Sequence, residues 1–198
     1  MDSRKFLFGL LVILFLLCSC STIPNLNVNY HLPSVIRESI KTKEVTLLFK
    51  DERGTKYILS ESAENEFRSF SGKMSLSITK TDGSSVPVGL FDPGTLFIEA
   101  FKRRFEERGI KVAATQKEGQ TIITIVLKRF ELDYASRKWI VRIDYEAVVK
   151  SGSGPVYTHN INGEGERLKI LGTEQADALM GEIFTDVINR LDLNKIFI

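Results

Sequence analysis

Side chains able to do covalent or acid–base chemistry are few in this sequence, and they are scattered. The only two cysteines, Cys18 and Cys20, stand close together near the start, and the only two histidines are His31 and His159. No H-E-x-x-H pair exists, and neither histidine has a cysteine partner at ligand spacing, so no metal site is expected. There is no G-x-S-x-G nucleophile elbow. Ser151-Gly152-Ser153-Gly154 joins two alternating segments and reads as a hairpin turn. Gly163-Glu164-Gly165-Glu166-Arg167 lacks the lysine and the following helix of a phosphate loop, and reads as a bent or bulged strand. Two charge clusters are left. Asp51 and Arg53 lie at the end of a strand, where such a pair is either a functional site or an ion pair capping a turn. Lys102-Arg103-Arg104 lies on a helix that also carries Glu99, Glu106, Glu107 and Arg108. That cluster either meets phosphate or lipid headgroups or is an ordinary solvated face. The sum is a non-enzyme with no cofactor.

The chemistry that does stand out is done to Cys20. Arg4 and Lys5 make the first residues positive, and Phe6 to Leu17 follows as an unbroken run of apolar residues and glycine. At 1.5 Å per residue such a run reaches about 18 Å as a helix. A hydrocarbon core of about 30 Å is too thick for it, whereas a signal-peptide apolar region fits. The run ends in Leu17-Cys18-Ser19-Cys20. This resembles the bacterial lipobox: an aliphatic residue, two small residues, then a cysteine whose thiol takes a diacylglycerol thioether. Cleavage then falls between Ser19 and Cys20, and the new amine is commonly acylated, as with palmitate. Cys18 is a poor candidate because bulky Leu17 would precede it. Two or three acyl chains make a stable anchor where one is marginal. Ser21, next to the lipidated residue, resembles the outer-membrane default, as opposed to an Asp that retains such proteins at the inner membrane.

The expected organisation is a signal peptide over 1–19, a lipidated N-terminus and tether over 20–43, and a periplasmic domain over 44–198. Of 27 basic and 25 acidic residues, Arg4, Lys5 and Asp2 leave with the signal, and the remainder carries a net charge of +1. A balanced charge gives no support to nucleic-acid binding. The mature domain would hold no cysteine and hence no disulfide.

The elements follow from periodicity. Ser21 to Thr42 contains Pro24, Pro33 and three asparagines, and reads as an extended tether. Val45, Leu47 and Phe49 alternate in a first strand over 44–50. Tyr57 to Leu59 reads as a short strand, Met74 to Thr79 alternates, and Val86 to Val88 pairs back after the turn at Thr81-Asp82-Gly83-Ser84. Asp92-Pro93 opens a helix in which Phe97, Phe101 and Phe105 stack, and Gly109 ends it. Lys111 to Thr115 is a short strand. Ile123, Ile125 and Leu127 change parity to Phe130, Leu132 and Tyr134, which predicts a bulge near Lys128-Arg129. Lys138 to Lys150 alternates throughout, and Val156 to Ile170 returns. Thr173 caps a second helix whose apolar residues run from Ala176 to Leu191 at helical spacing. The tail, 193–198, adds an edge strand or covers the core. The expected fold is α+β: a two-layer sandwich of an antiparallel meander sheet with two amphipathic helices on one face.

Three features together have a family likeness: the leader, the strand Val45-Thr46-Leu47-Leu48-Phe49-Lys50-Asp51-Glu52-Arg53, and the helix ending in Glu107-Arg108-Gly109. The chain resembles the YajG-like bacterial lipoproteins, and more distantly the auxiliary lipoproteins of envelope lipid transporters and the TolB N-terminal domain. The resemblance implies an α/β lipoprotein facing the periplasm and carries no chemistry. Two roles follow as expectations, ahead of a hydrolase, whose only support is scattered carboxylates. One is a binding or scaffold module for an envelope protein partner. The other is an auxiliary binder of lipid or lipopolysaccharide, using a gap between helices and sheet.

Overall fold

A computed structural model describes residues 25–34, 44–68, 70–115, 119–152 and 154–197. Residues 1–19, read from the sequence as a signal peptide, and Cys20 lie outside the described residues. Twelve elements occur among those described: β1 (Leu26–His31), β2 (Glu44–Asp51), α1 (Glu61–Phe67), β3 (Met74–Thr79), β4 (Ser85–Phe91), α2 (Pro93–Glu107), β5 (Lys111–Ala113), β6 (Thr121–Ala135), β7 (Lys138–Ser151), β8 (Val156–Leu168), α3 (Glu174–Arg190) and α4 (Leu193–Phe197).

The main sheet has the order β5-β2-β6-β7-β8. Its antiparallel meander is β6-β7-β8, three expected strands joined by short turns. The two-residue turn between β6 and β7 places Ser136 and Arg137 at positive φ, which matches the twist of a tight hairpin. The bulge falls where the parity changes: the β6–β7 register slips between Leu127 and Arg129, so Ile123, Ile125 and Leu127 share one buried face with Phe130 and Leu132. β2 departs from the expected meander, running parallel to both β5 and β6. Alternation encodes which face is buried and not the strand direction. The long connection between β2 and β5 leaves room for parallel pairing.

Both long helices cover the same face of this sheet. Tyr145 on β7 shows it directly: its ring packs edge-on against Phe97 and Phe101 of α2, and its hydroxyl donates to the Val187 carbonyl of α3 at 2.8 Å. Asp92 caps α2 by accepting from the Thr95 N–H at 2.9 Å. At the other end Ile110 and Gly109 donate to the carbonyls of Phe105 and Glu106, with Gly109 at φ 76°. These two bonds satisfy carbonyls that the last turn leaves without a partner. α3 starts differently from expectation: the Thr173 side chain makes no cap bond, and only its carbonyl accepts, from Ala176 and Asp177. The tail takes the covering alternative, since α4 buries Leu193 and Phe197.

The largest correction concerns the segment read as a tether. Leu26, Val28 and Tyr30 are buried on β1, which pairs in parallel with β3 in a second sheet of order β1-β3-β4. Three apolar residues alternating with Asn27, Asn29 and His31 make a short signal, and the asparagines mask it. The stretch from Ser60, read as polar and formless, holds α1, with the Ser60 hydroxyl accepting from the Ala63 N–H at 3.2 Å. The expected short strand at Tyr57–Leu59 shrinks to one bridge between Leu59 and Leu132.

Glycines set how closely α3 approaches its neighbours. β8 pairs with β7 without a register shift, so Gly163 and Gly165 do not mark a bulge. A Cβ on Gly165 would stand 2.7 Å from Ile183 Cδ1, and one on Gly163 would collide with Val187. On the other side of the helix, a Cβ on Gly181 would lie 2.9 Å from the Asn29 carbonyl oxygen of β1. The glycines are there to admit the helix. Gly163→Ala should therefore lower stability by about 1–3 kcal/mol through overpacking. Adding Val187→Ala should restore part of the loss. Urea unfolding midpoints measure both, and an unchanged midpoint for Gly163→Ala would refute the close-packing account.

Candidate functional site

The first candidate pair sits where β2 ends beside the β6 bulge. Arg53 Nε and Nη2 each donate to one carboxylate oxygen of Asp51 at 3.0 Å, and the Arg53 N–H adds a third bond at 3.1 Å. Lys56 Nζ lies 3.1 Å from the same carboxylate. This fork, Arg53 foremost, holds the Asp51 carboxyl well below the usual carboxylate range. A group so held is ionised at every working pH and is not a proton donor or acceptor for chemistry near neutrality. Beside it, hydrogen bonds from Lys128 and Lys50 depress Glu52 to about 2. A shallow groove of about 350 Å³ runs along Gly54, Thr55, Lys128, Arg129 and Phe130. Arg53 is buried, and its Nη1 has no partner among the described residues. The pair thus ties the exit of β2 to its own turn.

The uncovered face of the main sheet carries a ladder of opposite charges. Lys128 bridges Glu52 and Glu146, Arg129 meets Asp144 at 2.7 Å, Arg142 reaches Glu131 and Glu164, and Lys138 pairs with Glu166. A polar groove of about 480 Å³ lies among Lys128, Arg129, Asp144, Asn160, Asn162 and Arg190. Cross-strand pairs of this kind are part-exposed and contribute modestly to stability. Their carboxylates are spent on cations, and no group of three His, Cys, Asp or Glu able to hold a metal occurs among the described residues.

The second cluster is divided by the fold. Arg103 is exposed and pairs with Glu99 and Glu106 on its own helix, and Lys102 is half-buried. Arg104 points the other way. Its side chain is buried, and it donates to the carbonyls of Ile188 (2.5 Å), Asn189 (3.0 Å) and Leu191 (2.6 Å). Burial pushes its guanidinium below the ordinary arginine value. These carbonyls belong to the end of α3, where four acceptors lack helical partners and the helix dipole favours a cation. Arg104 therefore does not join a headgroup-binding patch with Lys102 and Arg103. It closes the C-terminus of the neighbouring helix. Sequence reasoning missed this because three adjacent basic residues share no helix face: successive residues turn by about 100°.

The gap between helices and sheet is filled. Phe97, Phe101, Phe105 and Phe184 are fully buried, and Phe97 makes edge contacts with Phe130, Tyr145 and Phe184 at centroid distances of 5.9, 5.8 and 5.2 Å. The rings form core.

One surface feature went unread. Leu168, the last residue of β8, and Ile170 and Leu171, in the connection to α3, are 61%, 82% and 81% exposed. Their signal is an apolar run broken only by Lys169, ahead of Gly172-Thr173, and the expected strand from Val156 to Ile170 takes in all of it but Leu171. The backbone leaves the strand at Leu168, so the residues that follow project from the end of the sheet.

No family model matches the sequence, and no curated protein matches it. Among solved structures, the chain is similar to protein XCC0632 from Xanthomonas campestris, of the family DUF330. The TM-score is 0.56 and the identity 16%, over 86% of this chain and 93% of that one. This likeness is one of fold. Lower similarity is found to the rare lipoprotein B from Shewanella oneidensis, with TM-score 0.42 and 8% identity over 76% and 92% of the two chains. It is found also to lipoprotein GNA1162 from Neisseria meningitidis, with TM-score 0.32 and 10% identity over 75% and 97%. The YajG-like resemblance rests on the sequence motifs alone.

Two predictions follow from these geometries. Arg104→Met keeps the volume but strips three carbonyls of their donor, and should cost roughly 2–4 kcal/mol in chemical unfolding. Lys102→Ala or Arg103→Ala should stay within about 0.5 kcal/mol. Equal effects at all three positions would refute the division. Asp51 has a lowered folded-state pKa, so its contribution is present above the unfolded carboxylate range and is lost as pH falls. The stability gap between wild type and Asp51→Asn should be constant near neutrality and narrow below about pH 4. A gap that widens in acid would reverse the sign.

Proposed function

We propose that this chain is a lipid-anchored lipoprotein of the bacterial envelope, held in the outer membrane and facing the periplasm, whose domain is a non-enzymatic binding or scaffold module. The observation that carries it is Leu17-Cys18-Ser19-Cys20 at the end of a short apolar run behind Arg4 and Lys5. The role follows from what the domain offers. The charges on its open sheet face are paired, the Asp51 carboxylate at the end of β2 is locked in an ion pair, and the phenylalanines of α2 and α3 are core. A module of this kind acts by where it is held and what it touches. Its partners are the membrane, through Cys20, and an envelope protein. The filled space under the helices favours this over carriage of a lipid or lipopolysaccharide inside the domain.

The test is Cys20→Ser in the full-length chain expressed in a bacterium fed an alkyne-tagged palmitate. Labelling should vanish and the unprocessed precursor accumulate, while Cys18→Ser should label normally. Label that persists on the Cys20→Ser chain would overturn the assignment.

A further inference from the structure

The structure places the exposed aliphatic loop between β8 and α3 beside the point where the chain enters the domain. β1 runs alongside α3 in matched steps. The Asn27 N–H donates to the Asp177 carboxylate at 3.0 Å, the backbone of Asn29 lies against Gly181, and the His31 N–H donates to the Thr185 hydroxyl at 3.0 Å. Two strand residues rise about 6.7 Å and four helical residues about 6.0 Å, so this pairing keeps step. Continued backward by one step, it sets Asn25 level with Thr173, directly after Ile170, Leu171 and Gly172. The Ser71 hydroxyl, which donates to the Asn25 side chain at 3.1 Å, marks the same end.

From Cys20 to Asn25 the chain can span at most roughly 18 Å. On the reading of Cys20 as the lipidated residue, this end of the domain is therefore held within that reach of the bilayer. The features gathered here suit such a surface. Leu168, Ile170 and Leu171 are the aliphatic tip. Lys169 is not part of the tip: it folds back over the rings of Tyr134 and Trp139, at 4.9 and 5.6 Å from their centroids, and pairs with Glu66. That fold-back fixes the root of the loop and leaves Ile170 and Leu171 projecting, and the Lys169 N–H donates to the Arg137 carbonyl at 2.9 Å. At this end of the domain Arg137, whose carbonyl holds the Lys169 N–H, Arg68, two residues after Glu66, and Lys73, next to the start of β3, are exposed and make no ion pair with the described residues, while the exposed carboxylate Glu174 opens α3. Aliphatic side chains with such cations at the same end match the apolar interior and anionic headgroups of a membrane interface.

We infer that the loop Leu168–Gly172 is a second membrane contact: Ile170 and Leu171 enter the interfacial layer beside the acyl anchor, with Arg68, Lys73 and Arg137 at the headgroups. This orients the domain with α3 rising from the membrane and the β3–β4 hairpin at the far end. The inference rests on the lipid-anchor reading.

The experiment uses the full lipidated chain reconstituted into vesicles of phosphatidylethanolamine and phosphatidylglycerol. In the mature chain Cys18 is gone and the Cys20 thiol is blocked, so Leu171→Cys or Thr81→Cys provides a single site for a fluorescent probe. Thr81 is exposed in the β3–β4 turn. Quenching by nitroxide-labelled lipid should be severalfold stronger for the probe at 171 than at 81, and adding Ile170→Asp should bring it down towards the level at 81. Equal, weak quenching at both positions on vesicle-bound protein would overturn the inference, leave the anchor standing and assign the patch to a protein partner. A chain whose Cys20 carries no lipid and which does not stay on vesicles would overturn the anchor reading and the inference with it.

Discussion

Helix α3 lies so close to its neighbours that no side chain fits between them at three positions. Gly163 and Gly165 on β8 open the sheet surface beneath Val187 and Ile183, and Gly181 on the helix lets the backbone of β1 pass at contact distance. The seating decides much else. It lets the Tyr145 hydroxyl reach the Val187 carbonyl, brings the end of α3 to Arg104, and keeps β1 in step with the helix so that the chain enters the domain beside Thr173. Close packing of this kind is intolerant of added atoms.

The charged residues divide by what surrounds them. Where a cation is buried, as at Arg104, its partners are helix-end carbonyls that would otherwise lack donors, so the interaction is a matter of satisfying both sides at once. Where cations lie on the open sheet face they meet carboxylates in a ladder that solvent screens. The Asp51–Arg53 fork stands between the two: one partner buried, the other partly wet, the bond geometry bidentate. The most exposed large apolar side chains among the described residues are Ile170 and Leu171, in the loop between β8 and α3.

Much of the fold was legible along the chain. The β6 bulge followed from the parity change alone, because one extra residue is the cheapest way to keep Ile125 and Phe130 on one face. The caps of α2 followed from Asp92, Pro93 and Gly109, since each residue type suits a backbone position that few others fill. The second sheet was not legible. β1 offers three apolar residues among asparagines, and its burial depends on β3 and α3, which lie far away in sequence. The glycines of β8 carried a true signal with the wrong cause, because a glycine reports that something needs room without saying what.

The sequence by itself determined the amphipathic faces of α2 and α3 and the buried parity of β6 and β7, and it carries the apolar run with its cysteine pattern on which the anchor proposal rests. These are local: they depend on residue type at short spacing, and short-range geometry translates them directly. Tertiary structure alone decided that β2 is parallel, that Arg104 belongs to the end of α3 and not to a basic patch, and that Asn25 and Leu171 share one end of the molecule. Those facts depend on which distant segments meet, and that is set by the fit of surfaces in three dimensions.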